Sequence, residues 1–437
     1  MKQNAWLVYL LVLFTVVSGS WGTIFYSHHR QEQEYAAMAA KSEVLFQRQI
    51  YDEALDLCRK CSRIHPKDLD IIKRTAAIYY QTEKYDRAIK ECDHMARLAP
   101  ERQDAGLLKA MCYEKKEDWY HAAQVLKKIK DSPRAAAMLR KARGKYTLDY
   151  KMMDWVSPWF RDERREYYSV AGKASKSAMI SANGKVQFQG DFTKLGQRST
   201  GKSLYPANTG NLWCFVDGAG KRRLVPGEKY EFLGPQNGNL ALVKQGGFFG
   251  YVDSHFNKAN FGYEEAYNYC NGRALVQKHG LYLMVEEHGK VVKQCSFHSI
   301  RSDGYGNAVR YGVMIAEKDG KQQLYNSNAT LLNDFSADEL RFPEETHGLM
   351  AFRQGDRWGY VSRYGQVIIA PAFEDARSFS QGYAAVKLNG KWGYIGTDGK
   401  LLIPCSFDDA QAVSPKGTSW VKNGAGYQLL KLSIYPK

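Results

Sequence analysis

Gly196-Gln197-Arg198-Ser199-Thr200-Gly201-Lys202-Ser203 fits the GxxxxGK[ST] spacing of a phosphate-binding loop at every position. Such a loop works by wrapping phosphates in backbone amides, with a helix opening at its Lys-Ser pair. Here Leu204-Tyr205-Pro206-Ala207-Asn208-Thr209-Gly210 follows, and Pro206 with the Asn-Thr-Gly run opposes a helix. No aspartate on a separate apolar strand offers itself to Mg²⁺, so nucleotide binding is not expected. Cys58-Arg59-Lys60-Cys61 has the spacing of a redox or metal pair. The ten histidines are scattered, and none recurs in register with a carboxylate or a nucleophile. Paired acids do recur, as Glu264-Glu265, Glu374-Asp375 and Asp408-Asp409, but at one place in a repeated pattern, where a turn or strand-end role is expected. Asn328-Ala329-Thr330 fits a glycosylation acceptor, which carries little in a chain read as bacterial. The residues therefore predict no enzyme, no cofactor and no metal site.

What must position these residues is a repeat. KLNGKWGYIGTDGKLLIPCSFDDA (387–410) lies over FRQGDRWGYVSRYGQVIIAPAFEDA (352–376) with one residue inserted. Glycines at 238, 272, 306, 348, 382 and 417 open successive units, with steps of 34, 34, 42, 34 and 35 residues. Each is followed by a short alternating apolar run, then an aromatic-glycine-aromatic block. Trp358-Gly359-Tyr360 and Trp392-Gly393-Tyr394 keep that block, Phe249-Gly250-Tyr251 retains the glycine, and Trp213-Cys214-Phe215 half keeps it. An Asp-Gly or Asn-Gly turn, an apolar run and the acid pair complete the unit. Gly201 then reads as one more unit boundary, 37 residues before Gly238. Period-two alternation with such turns predicts strands joined by hairpins, and units that must stack to bury their apolar faces. The glycine after the tryptophan is expected to let a backbone pass closely over a neighbouring ring.

These residues resemble the WG-repeat family, strongly over 348–416 and more weakly back to 238. The resemblance implies a β-rich interaction array and transfers no catalytic residue. Ala178–Lys185 reads as the middle of a further unit, and the chain ends part-way through another. Six whole units and these two fragments suggest a seven-membered, propeller-like ring whose last member is shared by both ends. An open β-solenoid is the alternative.

Residues 36–146 carry a second, helical period. Ala54, Ala88 and Ala122 are 34 residues apart, as are Pro66 and Pro100; Tyr51, Tyr85 and Trp119 each precede their alanine by three. This pattern resembles the tetratricopeptide repeat, in which a small residue sits where two helices cross and a proline follows the exit. Three units form an α-solenoid, with Arg134–Lys145 as its polar capping helix. In that register Cys58 shares its place with Cys92 and Leu126, and Cys61 shares its place with Met95 and Ile129. Core packing, rather than redox or metal chemistry, is the expected role.

At the front, Ala5–Tyr26 is almost wholly apolar and no charge falls between Lys2 and Arg30. Twenty-two helical residues span roughly 33 Å, against about 30 Å of bilayer hydrocarbon. Trp6, Tyr9, Trp21 and Tyr26 sit near the ends, as interfacial anchors do. We therefore expect an anchor or signal segment over 1–30, a helical stack over 36–146, a packed linker over 147–172 and β-repeats over 173–437. The fold class is α + β multidomain: a transmembrane helix, an α-solenoid and an all-β repeat domain.

The net charge of +16 is spread over the whole chain, and no nucleic-acid motif accompanies it. Eight cysteines without an evident pairing suit a reducing compartment. A short anchor followed by a long soluble body suits export, and extracytoplasmic display on a bacterial membrane is the reading adopted. The expected partners are a protein segment in the helical groove, the membrane through residues 5–26 and an anionic envelope polymer. The expected function is a membrane-anchored scaffold; the alternative is a carbohydrate- or wall-binding protein.

Overall fold

The computed structural model describes residues 27–149, 155–162, 167–172, 177–182, 184–210, 212–424 and 426–435. The chain divides into two compact units, Met1–Ala142 and Arg143–Lys437. Among the described residues no helix is long and apolar enough to cross a membrane. The anchor expected at residues 5–26 lies outside them.

The first unit is a run of antiparallel helices: α1 (27–47), α2 (Tyr51–Ile64), α3 (Leu69–Gln81), α4 (Tyr85–Leu98), α5 (Gln103–Lys115), α6 (Trp119–Leu126) and α7 (Pro133–Ala142). The expected three pairs and their capping helix are all present. Ala54 and Ala88 have no exposed surface and Ala122 is 1% exposed, so each second helix closes on its neighbours without a side chain in the way. Pro66 and Pro100 are exposed and lie two residues beyond the ends of α2 and α4. They stop helices rather than fill the core. Tyr51 meets Phe46, and Tyr85 meets Tyr80, with ring centroids 6.0 and 5.9 Å apart, one repeat after the other. Cys58, Cys61 and Cys112 pack in one apolar cluster with Ala54, Ile71, Ile78 and Ala88.

The second unit is a succession of antiparallel sheets. Among the described residues eight are seen, over 155–190, 194–224, 232–263, 265–295, 299–337, 339–373, 375–407 and 409–432. In the first seven, strands pair in chain order, except that in the fifth both Ser299–Ile300 and Val309–Arg310 pair with Val313–Lys318. The eighth takes its outer strand from far upstream: Tyr146–Asp149 lies antiparallel to Gly426–Leu432, with Tyr146 opposite Leu432. Two expectations are corrected here. The stretch 147–172 is not a linker: it supplies the end of that outer strand and also Trp155–Asp162 and Tyr167–Gly172. The described residues of Ala178–Lys185 do not complete the chain's last sheet; they belong to the first, so eight sheets rather than seven are seen among the described residues.

Alternate residues of a strand serve different cores. Leu240 and Leu242 join the cluster between the third and fourth sheets, Ala241 and Val243 the one between the second and third. The period of two thus buries both faces. One cluster links each consecutive pair of sheets. A further cluster of Ala178, Ile180, Trp420, Tyr427 and Leu429 joins the eighth sheet to the first.

Candidate functional site: two interaction surfaces

The repeated signature residues are structural parts of this unit. Trp213, Trp358 and Trp392 are 4–6% exposed, and Tyr251, Tyr360 and Tyr394 are fully buried. Each of these tyrosines donates its hydroxyl to a backbone carbonyl at the entry to the next sheet: Tyr267 at 2.7 Å, Arg377 at 3.1 Å and Gln411 at 3.0 Å. Burial pushes the Tyr251 and Tyr360 hydroxyls well above their ordinary range, so they stay protonated donors.

The glycine acts by letting a neighbour approach. A Cβ on Gly359 would stand 2.6 Å from Ile369 O, and one on Gly393 2.6 Å from Ile403 O. At Gly250 the neighbour is the Phe261 ring, at 2.3 Å. The expected contact with a ring therefore holds at Gly250. At the two Trp-Gly pairs the outer strand's own backbone fills the space, where its pairing slips by a bulge.

The acid pairs split their work. The first acid holds a hairpin in its own sheet. Glu264 accepts from the amides of His279 and Gly280, and Glu374 from those of Asn389 and Gly390, at 2.8–2.9 Å. All four turn residues have φ between 50 and 75°, so both central positions of each turn are left-handed, as a tight two-residue hairpin requires. In the last two pairs the second acid ties neighbouring sheets: Arg341 meets Asp375 and Arg377 meets Asp409, both at 2.9 Å, whereas Glu265 accepts from the Tyr267 and Tyr282 hydroxyls of its own sheet. The same guanidinium groups lie over the Trp358 and Trp392 rings, 4.1 and 5.2 Å from their centroids.

The phosphate-loop match ends as the sequence suggested. Gly201 has φ 74° and is followed by the strand Leu204–Asn208, while Lys202 Nζ donates to Gln236 Oε1 at 3.0 Å. One repeat boundary moves. The turn before Val313–Lys318 is Tyr311-Gly312, with φ 48 and 76°, matching Asn271-Gly272 and Gln381-Gly382. Gly306 instead sits inside the preceding loop, against Leu242 and Asn268.

Two surfaces remain open to partners. On the helical unit, the first helices of successive pairs are bridged in series. Arg74 reaches Glu43 at 2.6 Å, Lys73 reaches Asp104 at 2.8 Å, and Lys141 reaches Glu114 at 2.6 Å. Burial works against the Asp104 carboxylate, but bonds from Lys73 and Arg102 hold its pKa down to about 2. Leu108 and Met111 of α5 are half-buried on this unit and belong to none of its core clusters.

On the β unit, a cavity of about 410 Å³ opens among loops of the second to fifth sheets. No sequence motif marks it as a site, although its wall includes residues of the phosphate-loop match (Gln197, Arg198 and Thr200). The unequal step of 42 between repeat glycines was its one trace.

Several solved structures resemble part of the chain. The first tetratricopeptide domain of Spaghetti (RPAP3), bound to an HSP90 peptide, shows 21% identity and a TM-score of 0.24, covering 25% of this chain and 90% of that one. The Yersinia enterocolitica type III secretion chaperone SycD, in complex with a peptide of the translocator YopD, shows 17% identity and a TM-score of 0.23, covering 24% and 89%. MamA from Desulfovibrio magneticus RS-1 shows 19% identity and a TM-score of 0.22, covering 25% and 59%. No match was found among curated proteins. Two segments match family models: residues 45–112 the tetratricopeptide repeat, and residues 358–392 and 392–427 the WG containing repeat.

Proposed function

We propose that this chain is a non-catalytic interaction protein whose helical stack takes a protein segment and whose β-repeat unit presents a second binding surface. The observation that carries the reading is the tetratricopeptide match over 45–112, falling on helix pairs whose crossing alanines are buried as that repeat requires. The face assigned to the protein segment is the one made by α1, α3 and α5, which ion pairs bridge in series. In the β unit, the cluster joining the eighth sheet to the first supports closure of the sheets into a propeller-like ring. A membrane tether through residues 5–26, with both units extracytoplasmic, completes the proposal and rests on the apolar sequence alone.

The test is cross-linking in the native cell with tagged full-length protein, against the double variant Leu108→Asp, Met111→Asp. Both side chains lie outside the core clusters, so the variant should keep its helical circular dichroism while losing the captured protein. Capture that is unchanged in the folded variant would remove α5 from the proposed groove. Alkaline phosphatase fused after Lys437 should be active; an inactive fusion made in normal amount would place the units on the cytoplasmic side.

A further inference from the structure

Repeats keep what packing needs, so places where a repeat departs from itself are informative. In the regular units the first and second strands are joined by short loops, such as 267–272 and 377–382. Three loops are longer by two residues or more: 196–203, 341–349, and 301–312, which is twice the regular length and holds the extra strand Val309–Arg310. The first and the last of these departures meet. Asn307 Nδ2 donates to Gln197 Oε1 at 3.0 Å and to Asp303 Oδ2 at 2.7 Å. Asn268 Nδ2 donates to Asn307 Oδ1 at 2.9 Å and to Tyr305 O at 2.9 Å. The result is a relay of side-chain amides along one wall of the 410 Å³ cavity.

The chemistry of that wall is polar but balanced. Its formal charges are two basic and two acidic: Arg198, Arg310, Glu287 and Asp303. Arg310 is paired with Glu344 at 3.3 Å, and Asp303 accepts from the amides of Tyr305 and Asn307 at 2.9 and 3.1 Å. With Arg310 engaged by Glu344, the Arg198 guanidinium faces the Glu287 and Asp303 carboxylates, so no positive excess is left to select an anion and the imbalance is a single charge. The remaining hydrogen-bonding groups are mostly neutral amides. Asn271 stands exposed at the rim, and its amide has no partner among the described residues. Asn268 Oδ1 and Arg198 Nε, an acceptor and a donor, are buried without partners. Tyr311 and Val309, half-buried, add apolar surface.

We propose that this cavity binds a neutral saccharide, as a free sugar or as the end of a glycan. A hydroxyl both donates and accepts, and a carboxamide offers one group of each kind at fixed separation. A wall of amides beside a ring is matched to a polyol, and the volume lies within the range of small-ligand sites. An extended peptide would need a free sheet edge or a long groove, and this cavity is a pocket lined by loops. The proposal is independent of the helical surface and stands or falls separately.

The test uses the full chain, titrated by calorimetry with N-acetylglucosamine, glucose, galactose and their β-1,4-linked disaccharides. At least one should bind saturably, with an affinity little changed between low and high salt. Asn271→Gly keeps the left-handed turn and removes only the rim amide, so it should weaken that binding about tenfold at an unchanged melting temperature. Asn307→Ala should abolish binding by breaking the relay; if it lowers the melting temperature, Asn271→Gly alone decides. Absence of saturable binding by every sugar overturns the proposal, as does binding that Asn271→Gly leaves intact. Salt-sensitive binding of ATP or inorganic phosphate in place of sugar also overturns it, as does saturable binding of casein peptides that sugars fail to displace.

Discussion

At the scale of single residues, two substitutions test whether the repeat signature is understood as packing. Gly393 does not have a positive φ, so its backbone would accept alanine, and such a change at an open site stabilises by about 0.4–1 kcal/mol. Here the new Cβ meets Ile403 O at 2.6 Å and Cys405 N at 2.7 Å, backbone atoms that cannot rotate away. Overpacking of this kind costs about 1–3 kcal/mol and outweighs the entropic gain. Gly393→Ala should therefore lower the urea midpoint with little change in slope. The cysteines give the second test. Burial pushes the Cys92 thiol up to about 12 and the Cys112 thiol to about 11, so neither offers thiolate near neutrality. Cys58, Cys61, Cys92 and Cys112 should resist maleimide at pH 7.5 in the native protein and react once urea unfolds the helices. Rapid labelling of Cys58 or Cys61 in the folded state would revive the redox reading of their spacing.

At the scale of elements, the hairpins and the helical stack depend on carboxylates whose pKa values are depressed. Backbone amides of Gly390 and Asn389 lower Glu374. The Lys391 side chain, then the Gly424 amide, lower Asp408. Asp104 is held near 2 by its bonds with Lys73 and Arg102, against burial. A carboxyl with a lowered folded pKa stabilises the fold above its unfolded value of about 4, and that contribution fades as pH falls through the folded value. Melting temperature should be flat from neutrality to about pH 5 and fall between about pH 4 and 2. Glu374→Gln should flatten part of that fall, since an amide cannot titrate.

Much at this scale was legible beforehand. The crossing alanines, the turn glycines and the turn role of the acid pairs followed from spacing, because those positions serve geometry that every unit shares. The strands at 155–172 were not legible, because their side chains do not repeat the unit's pattern. Gly306 mimics a boundary because a long loop carries a glycine near the expected place, six residues before Gly312. The cavity was invisible for a related reason: its wall is assembled from loops of four sheets, and only their departures from the repeat mark it.

At the scale of the whole molecule, the eighth sheet decides how the β unit holds together. Its outer strand, Tyr146–Asp149, begins four residues beyond the last helix, and Ser433 N donates to Lys145 O at 2.9 Å. Deleting 143–149 should expose the edge of Gly426–Leu432 and uncover Tyr146's place in the cluster with Phe407 and Val413. The expected result is a lower melting temperature for the β unit and concentration-dependent association through the bare edge, measured by light scattering. An unchanged melting temperature would show that the strand is ornamental. The same pairing sets a timetable for synthesis. Tyr146 leaves the ribosome early, with the helices, yet its partner Leu432 is made almost last. The helical unit can fold as it emerges, whereas the strand beside it must wait through seven sheets for its neighbour. A chain cut short between the last helix and Leu432 would therefore carry a finished helical stack and a β unit whose strand Tyr146–Asp149 lacks its partner, a form that quality-control proteases can recognise by its open edge.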